Sequence, residues 1–585
     1  MKAKKVILQY PPASSVWHLP AGISLLTSIL RERGHDVTQR YGHIIGLEYV
    51  LKQQGNPEID EALKIVRSPQ SSIADWYHTR KIFEDVSKNV QTPDKFSIER
   101  NNVLYVSEHY DGSIEGLLRA IEQRDRSMWH SYFKDIELPL VRNIKPDVYG
   151  ISIADERQLI QGITLAATVK DASPNTLVVV GGNFWSRVTS AFKHPLFAKV
   201  FDSCDAIVYR EGFQPIEILV DTLNPAQSPS TIWRDKKGNV VINPKAKQPT
   251  SFDSLPAPSL DGGARQWSAD SVPQLYTISN CPMQCGFCAI AAGSDTFLQK
   301  PRIMSIQRLA EIMKETGATR FEIADETFPV NRQLALGEEL RRIGYPTTWN
   351  CYLTVTDDLL NSDRCRALYD AGCRGVQLGL ESLSRETLLR EYKSWNHPES
   401  YARILNNLTQ AGIHNHVFLL TGLPGEPIEA GLRWLPFLKD HGDSILTIKA
   451  GRYRLTKGSP EETKGTHSRY IQPETDDQPL HLNRNFKYLN PRSSRKRVEA
   501  VRDLIEEACR DHWAYTVTSS VPWWANRGRY SLDELRSASQ ALPKEPSVPH
   551  LQDALTKSKG IIKEATGQSY SISSFSELIE AARKI

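Results

Sequence analysis

Three cysteines stand close together near the middle of the chain, in the segment NCPMQCGFC. Cys281, Cys285 and Cys288 have the spacing C-x3-C-x2-C. Three thiolates at this spacing can hold one cubane iron–sulphur cluster, and they leave one iron without a protein sulphur. Structural zinc sites usually close with four Cys or His ligands, and electron-carrying clusters use four thiolates. The triplet therefore predicts a [4Fe-4S] cluster with one open, reactive iron.

Strand and helix patterns alternate around and after the triplet. The predicted strands are QLYTIS, RFEIA, TTWNCYL, GVQLGL, HVFLLTG and SILTIKAG, with a helical pattern between each pair. Six such repeats predict a partial parallel (β/α)6 barrel over residues 267–455, whose chemistry lies in the loops at the carboxyl ends of the strands. The cysteine loop begins at such an end, directly after Ser279.

The residues before the barrel predict a second α/β domain. Apolar strands such as KKVILQ, DVYGISI and TLVVVGG alternate with helices, which is typical of a doubly wound, Rossmann-like sheet that binds ligands beyond its strand ends. We assign this domain to residues 1–221, with a helical insertion at about 48–140. Residues 222–266 are rich in Pro and Ser and are interpreted as a linker. Residues 456–585 predict a mainly helical C-terminal domain.

Composition bounds the class of protein. The 585 residues carry 72 Lys and Arg against 68 Asp and Glu, a balance that does not indicate a nucleic-acid surface. The N-terminus has no signal-peptide apolar region, and no segment approaches the ~18 consecutive apolar residues of a membrane span. Eight cysteines are too few for a disulfide scaffold. We expect a cytoplasmic protein without nucleic-acid or membrane partners.

The cysteine triplet, with aromatic Phe287 just before its last cysteine, resembles the signature of radical S-adenosylmethionine (SAM) enzymes. That resemblance implies that the open iron binds the amino and carboxylate groups of SAM. The segments FEIADETF, GVQLGLES and LTGLPGE fall where the family places its SAM contacts. The implied SAM-binding residues are Phe287, Asp325, Glu326, Glu381, Ser382, Gly422 and Gly425.

Each of these later segments is weak evidence alone. An acidic residue after a strand is a helix cap about as often as a ligand, and G-L-P-G alone is a turn. The second strand also departs from the family, because ADE stands where a G-G-E run is common. At the third strand, Asn350 and Tyr352 occupy expected pocket positions.

A doubly wound domain ahead of such a barrel resembles the cobalamin-binding subclass of the family, on the segments KPDVYGIS, VVVGGNFW and DAIVYREG. The alternative is a generic flavodoxin-like domain. The chain contains no D-x-H sequence, so the resemblance implies cobalamin bound without a histidine lower ligand. The implied cobalamin-binding residues, each of which is also compatible with an ordinary turn, are Ser152, Gly181, Gly182, Asn183 and Glu211.

The resemblance implies a cobalamin-dependent methyltransferase with a [4Fe-4S] cluster, SAM and cobalamin as cofactors. One SAM would methylate cobalt, and reductive cleavage of another would give a 5'-deoxyadenosyl radical. The implied acceptor is an unactivated carbon, or else phosphorus, of a small natural product or peptide, with a flavodoxin or ferredoxin as electron donor. Two alternatives remain: a cyclase or ring-rearranging enzyme that transfers no methyl group, and a non-catalytic cobalamin or redox sensor. No catalytic acid or base is identified.

Overall fold

The computed structural model describes residues 2–16, 18–100, 102–246, 251–261, 272–279, 281–290, 302–475, 477–520 and 529–585. The chain divides into two compact units. The first unit comprises residues 1–279, 292–318 and 476–482, and the second comprises residues 280–291, 319–475 and 483–585. Among the described residues, every helix is too short or too polar to cross a bilayer.

The first unit is built on a seven-stranded sheet with the order β10-β9-β8-β7-β6-β1-β3. In chain order, all described strands of the first unit, inside and outside this sheet, are β1 (Lys5–Tyr10), β2 (His18–Leu19), β3 (Asp36–Tyr41), β4 (Lys95–Glu99), β5 (Asn102–Val106), β6 (Val148–Ser152), β7 (Leu177–Gly181), β8 (Ala206–Val208), β9 (Thr231–Arg234), β10 (Val240–Ile242) and β11 (Val272–Leu275). The five strands from β8 to β3 are parallel, and β9 and β10 add an antiparallel edge. The doubly wound fold predicted from the sequence is confirmed.

Helices flank this sheet because its central strands are buried on both faces. In β1 all residues after Lys5 are buried, as expected for a parallel strand covered on both faces. The described α-helices of the first unit are Ala21–Glu32, Gly42–Lys52, Glu58–Arg67, Ile73–Lys88, Ile114–Glu122, His130–Tyr132, Leu138–Ile144, Leu159–Ala172, Asn183–Arg187, Phe213–Thr222 and Ile306–Thr316. Between β3 and β6 the chain forms several of these helices and the β4–β5 hairpin.

The segment 222–266, interpreted as a linker, is partly ordered into the sheet. Strands β9 and β10 pair with each other, and β9 pairs with β8. The interpretation was therefore wrong for this hairpin, because short runs of apolar residues on both sides of the turn at Asp235 to Asn239 complete the sheet edge. Strand β11, the first strand predicted for the barrel, pairs in parallel with β2 inside the first unit.

The second unit contains five parallel strands in chain order, β12-β13-β14-β15-β16. Each is joined to the next through helical segments, as in a (β/α) barrel. Its strands are β12 (Arg320–Ile323), β13 (Thr348–Leu353), β14 (Cys373–Glu381), β15 (His414–Thr421), β16 (Thr447–Arg452), β17 (Leu455–Thr456), β18 (Ile471–Pro473), β19 (Asn483–Arg484) and β20 (Phe486–Tyr488).

The C-terminal part of the second unit is mainly helical, as predicted. It packs on the barrel segment through the helix Arg495–Asp511. Val501 of this helix contacts Gly431 closely, and a Cβ on Gly431 would lie 2.7 Å from a methyl group of Val501. The helices of the second unit are Val330–Arg342, Ser362–Ala371, Arg385–Arg390, Tyr401–Gln410, Trp434–His441, Pro460–Lys464, Arg495–Asp511, Tyr515–Ser520, Leu532–Ala541, Leu551–Thr566 and Phe575–Ala582.

Candidate functional site

The cysteine loop is fixed through the peptide groups of Gly286. Its N–H donates to the carbonyl of Glu391 at 3.0 Å, and its carbonyl accepts from the N–H of Glu461 at 3.1 Å. Inside the loop, the N–H of Cys288 donates to the carbonyl of Cys285 at 3.1 Å. Because the loop is held on both sides, the thiols are positioned by the protein itself.

The three thiols are free and lie within electrostatic range of one another. Burial raises the pKa of Cys285 to about 12 and that of Cys288 to about 11, and it also raises the pKa of Cys281. Negative charge on Cys281 or Cys288 would raise the pKa of Cys285 further. Three soft sulphur donors in one small space fit the iron–sulphur cluster that their spacing predicts.

Lys393 supplies a buried positive charge beside the cysteines. Its Nζ lies 3.3 Å from Oε1 of Glu381 and 6.0 Å from the ring centre of Phe287. Burial lowers the pKa of Lys393, but the charge of Glu381 and of the neighbouring thiolates outweighs it, and the net shift is upward. The ammonium in turn opposes the effect of burial on the pKa of Cys285. Sequence reasoning missed Lys393, because REYKSW contains no motif.

Glu381 ends β14 in an unusual backbone conformation. Its φ of 62° is in the left-handed region that non-glycine residues rarely adopt. The register between β14 and β15 also shifts between Gly379 and Glu381. Burial raises the pKa of Glu381, against the lowering effect of Lys393. Bulges and strained residues of this kind are concentrated at functional sites, where they aim a side chain.

Ser382 and the GLPGE turn, two segments predicted to belong to one site, meet in the structure. The Ser382 hydroxyl donates a short hydrogen bond to Glu426 and accepts one from the N–H of Ser384 at 2.9 Å. Burial raises the pKa of Glu426 to about 7, although the hydrogen bond from Ser382 opposes this. The ends of β14 and β15 are therefore tied together by a buried hydroxyl–carboxyl pair.

Gly422 and Gly425 owe their identity to the turn and to the packing around it. Their φ values are 75° and 76°, a region that favours glycine. A Cβ on Gly422 would lie 2.6 Å from the hydroxyl of Tyr488, and a Cβ on Gly425 would lie 2.7 Å from the ring of Tyr470. The hydroxyl of Tyr488 also donates to the carbonyl of Gly422 at 2.7 Å. The predicted approach of these glycines to adenine stays a prediction.

Asp325 and Glu326 follow β12, as predicted. Asp325 is fully buried. Burial and the charge of Asp325 raise the pKa of Glu326 to about 7. Glu326 in turn raises the pKa of both Cys281 and Cys288, so that its carboxylate is electrostatically close to the cysteine loop. The structure thus brings the acidic end of β12 toward the proposed cluster ligands.

On β13, Asn350 and Tyr352 have different surroundings. The Oδ1 atom of Asn350 is buried and has no hydrogen-bond partner among the described residues, which fits a site for a polar ligand. Tyr352 stacks on Phe418 of β15, with ring centres 6.1 Å apart. Its ring is therefore part of the packing between strands.

Sequence reasoning also missed a buried group directly behind the cysteine loop. Glu391, Glu461 and His467 approach one another within the second unit. The Nε2 atom of His467 lies 3.0 Å from Glu391 Oε1 and 3.6 Å from Glu461 Oε2. A Cβ on Gly286 would stand only 2.8 Å from Glu391 Oε2. The three residues come from separate positions in the chain, and no spacing pattern in the sequence joins them.

In the first unit, four of the five residues predicted to bind cobalamin lie at the ends of β6 and β7. Ser152 is paired with Gly181 in the sheet. Gly182 has a φ of 106°, and a Cβ there would lie 2.1 Å from the carbonyl oxygen of Ile153. Asn183 is exposed and begins a short helix. A glycine is thus required at position 182 because the backbone of Ile153 lies so close to it.

Glu211, the fifth residue, is engaged within the first unit. Its two carboxylate oxygens bind the guanidinium group of Arg302, one of them at 2.9 Å and the other at a shorter distance. Such a bidentate pair fixes both side chains. The structure therefore assigns Glu211 a role in holding Arg302, and its predicted contact with cobalamin stays a prediction.

The direction of the sheet order reverses between β1 and β6, and this is where doubly wound folds bind their ligands. The two loops at that point are joined, because Gln158 Nε2 donates to the carbonyl of Pro11 at 2.7 Å. In the loop after β1, the hydroxyl of Ser15 is buried without a hydrogen-bond partner in the part of the chain that is described. An unsatisfied buried hydroxyl fits a polar ligand at this edge.

Comparison with known proteins agrees with this arrangement. The family model of the radical SAM superfamily matches residues 275–433. A protein named "Uncharacterized methyltransferase PH0819", from Pyrococcus horikoshii, is 27% identical over 319 residues, covering 52% of this chain and 67% of the relative. The "Bacteriochlorophyllide d C-8(2)-methyltransferase" of Chlorobaculum tepidum is 28% identical over 230 residues, covering 31% and 50%. The chain thus spans about two thirds of the first relative and half of the second.

Two solved structures share the fold over the whole chain. The cobalamin-dependent SAM radical enzyme OxsB, with aqua-cobalamin and SAM bound, gives a TM-score of 0.56 at 13% identity and covers 100% of this chain and 83% of its own. The radical SAM methyltransferase TsrM from Kitasatospora setae, with cobalamin and a [4Fe-4S] cluster bound, gives 0.52 at 14% identity and covers 100% and 99%.

These matches agree with the site built from the residues. The segment that contains the three free thiols and the ends of β12, β14 and β15 is the segment that the superfamily model matches. Residues 275–433 therefore form a radical SAM domain, and the fold of the chain is similar to that of the two cobalamin-binding radical SAM enzymes.

Proposed function

We propose that the chain is a cobalamin-dependent radical SAM methyltransferase that methylates an unactivated carbon of a small natural product or peptide. The observation that carries this proposal is the group of three free thiols in one fixed loop, in a chain whose whole fold matches cobalamin-binding radical SAM enzymes. The methyltransferase names of the relatives from Pyrococcus horikoshii and Chlorobaculum tepidum support methyl transfer over the alternatives.

In this proposal Cys281, Cys285 and Cys288 hold the [4Fe-4S] cluster. When bound, the cluster and SAM would supply a 5'-deoxyadenosyl radical, and cobalamin would supply the methyl group. Lys393 contributes positive charge beside the thiolates, which stabilises an anionic thiolate set in a buried site. The electrons would come from a small donor protein such as a flavodoxin or ferredoxin.

The remaining predicted residues position SAM. Asp325 and Glu326 at the end of β12 offer carboxylates for its amino group, and Glu381 and Ser382 at the end of β14 offer acceptors for its ribose hydroxyls. In the first unit, the Ser15 hydroxyl and the ends of β6 and β7 would meet cobalamin.

The test is anaerobic reconstitution with iron, sulphide and hydroxocobalamin, followed by addition of SAM and a low-potential reductant. We expect two products from SAM, 5'-deoxyadenosine and S-adenosylhomocysteine. Cys285→Ala should abolish the first, whereas Cys365→Ala, at a buried cysteine whose Sγ contacts the carbonyl of Leu359 at 3.5 Å, should not. 5'-Deoxyadenosine without S-adenosylhomocysteine would refute methyl transfer and favour cyclisation or rearrangement. Neither product from fully loaded protein would favour a sensor.

A further inference from the structure

The buried group of Glu391, Glu461 and His467 lies outside the three cysteine ligands. Glu391 directly follows the helix Arg385–Arg390, Glu461 belongs to the helix Pro460–Lys464, and His467 lies in the loop after that helix. One ligand atom from each residue lies within 4.8 Å of the other two, and all three side chains are almost completely buried.

The charges of this group are not balanced by hydrogen bonds. Both carboxylate oxygens of Glu391, both of Glu461, and Nε2 of His467 are buried, and none has a hydrogen bond of standard geometry among the residues described, although the Tyr453 hydroxyl lies near Glu461. The nearby guanidinium of Arg390 donates instead to the carbonyl of Pro424 and to Glu386. With both carboxylates ionised, even a protonated imidazole would leave one net negative charge in a water-poor interior, which is costly.

The separations suit ligands of a single metal ion. Ligands about 2.0–2.2 Å from a metal stand about 3.0 Å apart in octahedral and about 3.4 Å apart in tetrahedral geometry. The His467 nitrogen is 3.0 Å from Glu391 and 3.6 Å from Glu461, and neither contact has hydrogen-bond geometry. Two carboxylates and a neutral imidazole around a divalent cation would also leave no net charge.

We propose that Glu391, Glu461 and His467 bind one divalent transition-metal ion, separate from the iron–sulphur cluster. Oxygen and imidazole ligands suit Mn²⁺ and Zn²⁺, whereas the thiolates suit the cluster. The backbones of Glu391 and Glu461 are the two groups that hold Gly286, so this ion braces the cysteine loop from behind. Only a glycine leaves room there, since a Cβ would meet both Glu391 Oε2 at 2.8 Å and His467 Nε2 at 3.4 Å.

The experiment measures metal content and Mn²⁺ binding in the cluster-loaded protein. Iron, sulphide, zinc and manganese are counted per chain, and Mn²⁺ is titrated while its free electron-paramagnetic-resonance signal is followed. We expect one divalent ion beyond the irons that match the sulphide. Glu461→Gln and, separately, His467→Gln should weaken Mn²⁺ binding at least tenfold. Glu462→Gln, the next residue of the same helix, should bind Mn²⁺ as the unaltered protein does.

Two results would overturn the proposal. One is the absence of any ion beyond the cluster irons in the unaltered protein, even with excess Mn²⁺ or Zn²⁺. The other is an extra ion whose affinity is the same after His467→Gln. Circular dichroism checks that each variant is folded, and His467→Gln decides the matter if Glu461→Gln does not fold. Because the readout is metal binding, it is independent of whether the enzyme transfers methyl groups.

Discussion

Two glutamates near the carboxyl ends of parallel strands, Glu211 after β8 in the first unit and Glu381 at the end of β14 in the second, are held in different ways. Glu211 binds Arg302 with both oxygens, and the guanidinium group also lies 4.7 Å from the ring centre of Phe252. Glu381 is contacted by the single ammonium of Lys393 at 3.3 Å, and its backbone has a φ of 62°. The first arrangement is a closed structural pair.

The difference separates a structural carboxylate from a functional one. A planar guanidinium fork saturates the carboxylate, whereas an ammonium acts as a point charge and also affects its other neighbours. Lys393 opposes the burial-induced rise in the pKa of Cys285, so the pair at Glu381 is electrically part of the cysteine site. The role of a glutamate near the end of a parallel strand therefore depends on whether an arginine or a lysine binds its carboxylate.

Removing the two cations is the strongest test of this comparison. Lys393→Met leaves the buried Glu381 without a partner, and we expect it to lower the free energy of unfolding by about 3–5 kcal/mol and to reduce the iron and sulphide retained per chain. Arg302→Met should cost about 1–2 kcal/mol, because the Glu211 side chain is 22% exposed and water can solvate it. Urea unfolding of the cluster-free proteins measures both changes.

A rescue variant distinguishes loss of charge balance from loss of packing. If the cost of Lys393→Met comes from the unpaired carboxylate, Glu381→Gln combined with Lys393→Met should recover most of the lost stability. Equal losses for Lys393→Met and Arg302→Met, or a double variant no more stable than Lys393→Met alone, would contradict the distinction drawn between the two pairs.

Gly422 in the second unit and Gly181 in the first give a second contrast, with a smaller expected effect on stability. Gly422→Ala should destabilise the protein by about 2–3 kcal/mol, because φ is 75° and the new Cβ would lie 2.6 Å from the Tyr488 hydroxyl. Gly181→Ala should change stability by no more than about 0.5 kcal/mol, since its nearest neighbour, Val208, is 3.6 Å away. Thermal unfolding of both variants checks this, and similar shifts in Tm would show that Gly422 is not constrained as described.

Features carried by local pattern were predictable from the sequence. The C-x3-C-x2-C spacing and the apolar strands are visible in a few consecutive residues, and both the doubly wound fold and the radical SAM assignment are confirmed. The β9–β10 hairpin could also have been predicted, because the apolar segments TIW and VVI flank a turn sequence. It was interpreted as a linker because the surrounding segment is rich in Pro and Ser.

Features that depend on tertiary contact were not predictable. Arg302 is 91 positions from Glu211 in the sequence, and neither residue carries a signal of the other. Lys393 and His467 lie in segments without a motif, and they become part of the site only because the chain folds back on the cysteine loop. Spacing rules describe groups that are close along the chain, so charge partners and the Glu391, Glu461 and His467 group appear only in three dimensions.

The last prediction concerns the pH dependence of stability and Glu426, whose carboxyl is buried against Ser382 in the second unit. Burial raises its pKa from the ordinary 4.5 to about 7, so the folded state holds a proton that the unfolded chain has lost. Stability from this group must therefore fall as the pH rises from about 4.5 to about 7. Glu426→Gln keeps a neutral polar group there and should flatten this decline, by at most about 3 kcal/mol for a shift of this size.

Urea unfolding at several pH values between 4.5 and 8 measures the slope, with the solvent-exposed Glu386→Gln as the control. At Glu381 the charge of the adjacent Lys393 opposes the rise in pKa that burial causes. At Glu426 the hydrogen bond from Ser382 and the charges of Arg390 and Arg433 oppose that rise, but burial outweighs them. An unchanged slope in Glu426→Gln would mean that this carboxyl is ionised in the folded protein. The short contact with Ser382 would then be a charge-assisted hydrogen bond, and the end of β14 would carry a second full negative charge beside Glu381.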